Sequence, residues 1–262
     1  MNSWSRARKR IVLSIVILAV IVLVGLPAYF FFYQTPTCSD GVMNSDETGV
    51  DCGGSCQHLC SAESLPLIMR GDPRILMIAT STYEVVAVLE NPNPAAEIYR
   101  AQYTLKLFDL TSALPVKVIE GATFIPKGQT LAIFEGPFTL GEEIMPARAT
   151  LEWYKDSLVW RKNGNAEPEL KVNDVKLSKT DLSPRLEANL ENASLGDGSN
   201  VDLIALISDE EGNIFAASKT FVDSLSSRER APLIFSWPRA FKSAAIGIQI
   251  IPRIFPDSSF LR

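Results

Sequence analysis

The apolar and polar positions divide the chain into one long, uniformly apolar stretch and a longer region of short alternating segments. The apolar stretch runs from Ile11 to Tyr33 and holds no charged residue across 23 positions. An α-helix rises about 1.5 Å per residue, so this stretch spans about 35 Å, against roughly 30 Å for the hydrocarbon core of a bilayer. The pattern predicts a single transmembrane helix over residues 11–33.

Beyond Pro73 the apolar positions recur with a period close to two, which is the period of a β-strand with one buried face. Turn-forming clusters such as Asn91-Pro92-Asn93-Pro94 separate the segments. Short strands with turns between them predict a sandwich or a small barrel. The predicted strands are Arg74–Ala79, Tyr83–Glu90, Arg100–Phe108, Val116–Ala122, Thr130–Phe138 and Arg148–Tyr154, and then Leu170–Leu177, Arg185–Glu191, Val201–Ser208, Ile214–Val222, Ala231–Trp237 and Ala244–Pro252.

These strands form two sets that can be superposed with an offset of about one hundred residues. Leu89-Glu90-Asn91 corresponds to Leu190-Glu191-Asn192, and Leu107-Phe108-Asp109 corresponds to Ile207-Ser208-Asp209. A polar linker, Lys162–Pro168, separates the two sets. The repeat predicts two copies of one β-sandwich.

Charge gives the apolar helix a direction. Four basic residues precede it and no acidic residue occurs before Asp40; the four are Arg6, Arg8, Lys9 and Arg10. Basic residues stay on the cytoplasmic side, so we expect the first ten residues inside and everything after Tyr33 outside. A cleaved signal peptide is the alternative, although the apolar stretch is longer than a typical signal core and no clear A-x-A site follows.

The acidic balance of the chain narrows the choice of partners. The net charge is −5, and because four of the 25 basic residues lie before the helix, the rest of the chain carries 21 basic and 30 acidic residues. An acidic extracytoplasmic region argues against nucleic-acid binding, which requires a positive surface.

All four cysteines lie directly after the helix, at Cys38, Cys52, Cys56 and Cys60. An even number of cysteines in a short, loop-rich segment outside the cytoplasm predicts two disulfides, and three pairings are open. Zinc is the alternative because His58 lies among them, but the C-x3-C-x3-C spacing is unlike that of common zinc modules.

The same segment is rich in oxygen ligands on a glycine-containing loop. They are Asp40, Asn44, Asp46, Glu47 and Asp51. Carboxylate and amide oxygens are the ligands that calcium prefers, although the spacing is not that of an EF-hand. The sequence therefore leaves two interpretations open, a calcium loop and a solvated acidic turn. No other cofactor is expected.

Two resemblances follow from particular stretches. The run DGVMNSDETGVDCGGSC resembles a short cysteine motif of surface and secreted proteins, many of them bacterial, which implies an extracytoplasmic location. The second set of strands, with VDLIALISDEEGNIFAASKTFVDSLSSRERAPLIFSW, is similar to FxLYD domains. Together with TLKLFD and the NPNP turn of the first set, it resembles the group that includes late-embryogenesis-abundant β-sandwiches. That resemblance implies immunoglobulin-like or fibronectin-like sandwiches without catalytic residues.

The sequence contains few candidate catalytic residues. His58 is the one histidine, and no zinc-protease, nucleophile-elbow, dinucleotide or P-loop string occurs. We therefore do not expect an enzyme. Trp160 and Arg161, at the end of the first set, are the predicted interdomain or partner contact. Asn192-Ala193-Ser194 is a formal glycosylation sequon.

The sequence thus predicts a mainly β protein with an N-terminal single transmembrane α-helix, a small disulfide-rich stalk and two tandem immunoglobulin/fibronectin-like β-sandwich domains. We expect it to bind or scaffold envelope proteins or polymers at the cell membrane. The alternative is a purely structural subunit of a membrane complex, assembled through its helix. The predicted segments are a basic tail (1–10), the helix (11–33), the stalk (34–64), the first sandwich (65–162), the second sandwich (168–253) and a C-terminal tail (254–262).

Overall fold

A computed structural model describes residues 3–32, 37–110, 112–164 and 167–256. The chain is mainly β, with one helical segment at its N-terminus, and the predicted fold class is confirmed. It divides into two compact units, Met1–Ser55 and Cys56–Arg262. Both predicted sandwiches therefore lie within the second unit.

The N-terminal segment is helical throughout its described length. Helix α1 spans Ser3–Val20, a π-helical turn spans Ile21–Gly25, and helix α2 spans Leu26–Phe32. The stretch Arg8–Tyr29 is long and apolar enough to cross a membrane, and none of it is buried. By length and composition, a membrane anchor and a signal sequence both fit this helix. The predicted end of the helix, at Tyr33, lies outside the described residues.

The first sandwich consists of two antiparallel sheets. In sheet A, β4 pairs with β5, β7 and β8; in sheet B, β3 pairs with β1, β2 and β6. Because β6 occupies one side of β3 from Thr82 to Glu90, strands β1 and β2 share the other side. The strands are β1 Ile68–Met69, β2 Arg74–Ala79, β3 Thr82–Glu90, β4 Ala96–Phe108, β5 Lys117–Ile125, β6 Thr130–Thr139, β7 Arg148–Trp153 and β8 Trp160–Lys162.

The second sandwich has the same strand order as the first. Sheet C has the order β12-β11-β14, which matches β5-β4-β7, and sheet D has the order β13-β10-β9, which matches β6-β3-β2. The repeat seen in the sequence is therefore a repeat of topology. The strands are β9 Leu170–Ser178, β10 Arg185–Asn192, β11 Gly198–Ser208, β12 Ile214–Leu225, β13 Arg230–Ser236 and β14 Gly247–Ile254.

Each sandwich has its own core between its two sheets. In the first, Leu89 and Leu131 of sheet B pack towards Ile98 of sheet A. In the second, Leu203 of sheet C and Phe235 of sheet D occupy the corresponding space. These side chains are almost completely buried, as expected for the inner faces of a sandwich.

A third apolar cluster, here called the seam, joins the two sandwiches face to face. Sheet B contributes to it with the outer faces of β2, β3 and β6, and sheet C with those of β11, β12 and β14. The sheets are therefore stacked in four layers, in the order A, B, C, D. The buried residues of the seam are Leu76, Val86, Ala132, Ile204, Leu206, Ala217 and Ile251.

Burial on both faces explains the continuous apolar runs Val85–Leu89 of β3 and Leu203–Ile207 of β11. Along β11, Leu203, Ala205 and Ile207 point into the second core, whereas Ile204 and Leu206 point into the seam. A strand buried on both faces has no polar alternation, unlike a strand with one face in solvent. The two modules that the sequence places in tandem thus pack by their faces.

A buried asparagine ends the central strand of sheet B. The Nδ2 group of Asn91 donates to the carbonyl oxygens of Ala96 and Pro126, at 2.8 and 2.7 Å. Its Oδ1 accepts from the backbone N–H of Asn93 at 3.0 Å. One buried amide thus joins the loop before β4 to the loop after β5.

Asn192 does the same at the end of β10 in the second sandwich. Its Nδ2 group donates to the carbonyl oxygens of Gly196 and Leu225, and its Oδ1 accepts from Ser194 N–H. Asn192 is 0% exposed, so the folded domain presents no glycan acceptor at this sequon.

Candidate functional site

The cysteines after the helix are all oxidised. Cys38, Cys52, Cys56 and Cys60 are disulfide-bonded, and no free cysteine is present among them. The predicted disulfides are confirmed. Zinc binding by these residues requires thiolates, which a disulfide does not provide, so the zinc alternative is wrong.

The acidic side chains of the loop accept hydrogen bonds from the loop itself. Asp40 accepts from the backbone N–H groups of Thr37 and Val42 and from Asn44 Nδ2, each at 3.0 Å. The bond from Asn44, followed by those from Thr37 and Val42, lowers the pKa of Asp40 below its ordinary value. This carboxylate orders the turn around it.

The other acidic residues behave in the same way. Both carboxylate oxygens of Asp51 lie 3.0 Å from Gly41 N, and Glu47 accepts from Asn44 N at 3.2 Å. Asp46 accepts from Ser55 Oγ at 2.8 Å. These bonds account for an ordered turn without a cation, and calcium binding at Asp40, Asn44, Asp46, Glu47 and Asp51 stays a prediction.

The end of the predicted stalk belongs structurally to the first sandwich. Leu59 N–H donates to Trp160 O at 3.1 Å, and Lys162 N–H donates to Gln57 O at 2.8 Å, with an antiparallel bridge between His58 and Arg161. Residues 57–59 thus add to the edge of β8 in sheet A. They cover that edge and fix the start of the sandwich close to Cys56.

The prediction that Trp160 contacts a partner is wrong. Its indole is 6% exposed and lies in the first core with Ile98, and Leu59 packs against it. The reason is β8, a three-residue strand that pairs with β4 and turns the indole inwards. Arg161 points the other way and is exposed, and its role as a contact stays a prediction.

A groove at one end of the seam is the best candidate for a binding site. Its volume is about 380 Å³, and its lining combines Ile75–Ile78 of β2, Ile214–Ala217 of β12 and the loop Trp237–Ser243. The walls are largely apolar. The charged residues of the lining are both basic, Arg239 and Lys242.

Aromatic packing gives the groove a firm wall. The ring of Phe241 makes edge-to-face contacts with Phe215 and Trp237, with centroid distances of 5.3 and 5.2 Å. Trp237 Nε1 donates to the carbonyl oxygen of Ala217 at 2.8 Å. This bond fixes the indole and also occupies an acceptor of β12.

Arg239 and Lys242, here called the basic rim, belong to the second sandwich, and the rim also contacts the first. Arg239 of the second sandwich donates from Nη2 to Thr80 Oγ1 of the first, at 3.4 Å. Within the described part of the chain, the ion pairs involve neither Arg239 nor Lys242. Two positive charges beside an apolar wall suit an anionic group with apolar neighbours.

A buried charge cluster lies where β14 meets the first sandwich. Arg253 Nη2 is 3.4 Å from Asp202 Oδ2, and Arg253 Nη1 donates to Thr123 Oγ1 of β5, in sheet A of the first sandwich, at 2.9 Å. Lys219 reaches the same Asp202 oxygen at 3.4 Å. Burial lowers the pKa of Arg253, and the Asp202 carboxylate opposes that shift. The cluster bonds the two sandwiches to each other.

Glu84 is the described carboxyl group with the clearest environmental effect. It lies on β3 two residues before Val86, so its side chain is on the seam face of sheet B. Burial raises the pKa of Glu84 to about 7.

Sequence reasoning missed the groove, since it is built from two strands and a loop that are far apart in the chain. The consecutive apolar residues of β2 and the aromatic pair Trp237 and Phe241 were the available signals. Comparison with protein-family models and with curated proteins finds no match for the chain. The FxLYD and late-embryogenesis-abundant resemblance therefore stays a prediction.

Proposed function

We propose that this chain is a single-pass membrane protein that displays a double β-sandwich outside the cytoplasm, where it binds or scaffolds other envelope proteins or polymers without catalysing a reaction. The observation that carries the proposal is the N-terminal helix. Its stretch Arg8–Tyr29 is apolar and wholly unburied. An apolar surface of this length requires a cover, and a lipid bilayer fits it.

Two observations support an orientation with the N-terminus inside. Arg8, Lys9 and Arg10 lie at the N-terminal end of this stretch, before the uncharged run that begins at Ile11, and basic flanks stay in the cytoplasm. The four cysteines beyond the helix are oxidised, which requires a compartment that permits disulfides.

The two joined sandwiches favour a binding role over a catalytic one. The resemblance to FxLYD domains implies sandwiches without catalytic residues, and the seam fixes two of them as one surface. The buried charged residues Arg253 and Asp202 are bonded to each other, so their chemistry is directed at the fold.

Cysteine accessibility tests both anchoring and orientation. The native cysteines are disulfide-bonded, so a single new cysteine reports on its own position. We expect Leu195→Cys, at an exposed loop of the second sandwich, to react with a membrane-impermeant maleimide in intact cells without an outer membrane. Trp4→Cys, the matched control before the apolar stretch, should react after permeabilisation. The reverse pattern, or release of the labelled chain in soluble form, would contradict the proposal.

The second candidate function is a structural subunit that assembles through its helix. The π-helical turn Ile21–Gly25 favours it, because such turns inside α-helices are frequent at functional sites. Exchange of residues 8–29 for an unrelated apolar helix separates the two candidates. Retained partner crosslinks assign binding to the sandwiches, and lost crosslinks assign it to the helix.

A further inference from the structure

Among the residues that the structure describes, strand β2 has an open edge. It pairs with β3 on one side, and the other side faces the groove. Every second residue of an edge strand directs its N–H and C=O groups away from the sheet, where they are available for another strand. Proteins usually protect such edges with charges, prolines, bulges or covering segments.

Apart from the two-residue strand β1, the other edge strands of the four sheets are protected in these ways within the described residues. Charged or proline residues interrupt most of them, and two are covered by other parts of the chain. The protecting features are Glu120 in β5, Pro137 in β6, Glu152 in β7, residues 57–59 beside β8, Lys171 and Lys176 in β9, the Trp237 indole on β12, Pro232 in β13 and Pro252 in β14.

Strand β2 lacks comparable protection. From Ile75 to Ala79 it contains neither a charge nor a proline, and its one irregularity is a register shift at its end, between Met77 and Ala79. The charge at its start, Arg74, is bonded across the seam to Asn213 Oδ1 at 2.6 Å. Its edge is therefore apolar and partly exposed, with Met77 the exposed side chain of Ile75–Ala79.

We propose that this edge and its groove bind an extended peptide segment of a partner protein by strand addition. The backbone of the segment pairs with β2, its apolar side chains enter the groove against Phe215 and Phe241, and an acidic side chain meets Arg239 and Lys242. This inference rests on the proposed binding function and names its site and its partner chemistry. Strand addition obtains affinity from the backbone and specificity from alternate side chains.

Charge favours a different protein over a second copy of this chain. The segment that a second copy offers in symmetric pairing, residues 74–82, contains no carboxylate to meet the basic rim. A free acyl chain fits the apolar wall but uses none of the backbone groups of β2. An acidic, apolar, extended peptide uses all three features of the site.

The test uses the full chain in detergent micelles and defined peptides. The probes are nine-residue peptides that alternate valine or phenylalanine with variable positions and carry aspartate at one end. Matched controls replace the aspartate with lysine or methylate alternate backbone nitrogens. We expect micromolar binding of the acidic peptides by fluorescence polarisation, at least tenfold weaker binding of both controls, and slower hydrogen exchange at residues 75–79 on binding.

Substitutions locate the site on the protein. Met77→Lys adds a charge to the open edge at a half-exposed position, and Arg239→Glu with Lys242→Glu reverses the rim. We expect each to weaken binding at least tenfold. Val118→Lys, on the edge strand β5 and similarly exposed, is the matched control and should leave the Kd unchanged.

Four outcomes overturn the inference. The first two are that no acidic peptide binds and that the methylated peptides bind equally well. The third is that oleate displaces the peptides and backbone methylation leaves the Kd values unaffected, and the fourth is that the chain forms a dimer that Met77→Lys dissociates. Each of these can occur while Leu195→Cys is labelled from outside, so the failure of this site is distinguishable from the failure of the proposed membrane display.

Discussion

Single buried amides hold the ends of both sandwiches. Asn91 and Asn192 occupy equivalent positions at the ends of β3 and β10 and bond equivalent loops. Both asparagines end a repeated Leu-Glu-Asn sequence, which indicated that their positions are equivalent. Two domains with the same strand order need the same hydrogen bonds at the same strand end. The burial of both asparagines could not be predicted, since asparagine is also an ordinary turn residue.

Asn192→Ala should lower the free energy of unfolding by about 2–4 kcal/mol. The substitution removes two or more hydrogen bonds at a fully buried site and leaves the carbonyl oxygens of Gly196 and Leu225 without this donor. Urea unfolding measures the change. Asn189→Ala on the same strand, whose amide bonds Asp174 near the surface, is the control and should cost less than about 1 kcal/mol. Equal losses would contradict the structural role of Asn192.

Glu84 should make stability depend on pH. Its pKa is about 7 in the folded chain and near 4.5 when unfolded, so the folded state binds more protons between these values. Stability contributed by the protonated carboxyl is therefore lost as pH rises from about 4.5 to 7.

Glu84→Gln removes this loss, because the amide does not ionise. We expect a gain of about 1–2 kcal/mol at pH 8 and almost none at pH 4, after allowance for partial solvent screening. Thermal unfolding at both pH values measures it. The exposed Glu143→Gln is the control and should change stability equally at the two pH values. A gain at pH 4 as large as that at pH 8 would contradict the assignment.

At the level of elements, period-two alternation predicted six strands for each sandwich. Each of these strands is present in the structure, with shifts of its first or last residues. Strands β1 and β8 were missed because two and three residues are too short for the pattern, and Trp160 was therefore assigned to a surface. The face-to-face packing was missed for another reason. The apolar runs in β3 and β11 fit strands buried on both faces, but a run alone does not show what lies on the second face.

The buried charge cluster around Asp202 predicts how much two substitutions change the stability of the sandwich pair. Arg253→Met should lower the free energy of unfolding by about 3–5 kcal/mol, because Asp202 is 1% exposed and loses its buried partner. Denaturant unfolding measures the loss. Lys219→Met removes a partly exposed cation from the same carboxylate and should cost less than about 1 kcal/mol. Equal costs for the two variants would show that Arg253 is not the main partner of the buried Asp202 carboxylate.

For the whole molecule, the sequence indicated the class of fold and the apolar helix but not the arrangement of the sandwiches. Residues 163–169 connect β8 to β9, and their polar composition predicted a linker between two sandwiches in tandem. The seam joins these two sandwiches into one body. The groove depends on the seam, since β2 belongs to the first sandwich, and Phe215 and Phe241 belong to the second.

The distance between spin labels on the two sandwiches tests this arrangement most directly. Leu114→Cys and Leu195→Cys place labels on exposed loops of the first and second sandwich, and the native cysteines are already disulfide-bonded. For the full chain in micelles, we predict a single narrow distance distribution by pulsed electron resonance. A free seven-residue connection spreads its ends over about 15 Å, so a broad or multiple distribution would contradict the seam and the groove that depends on it.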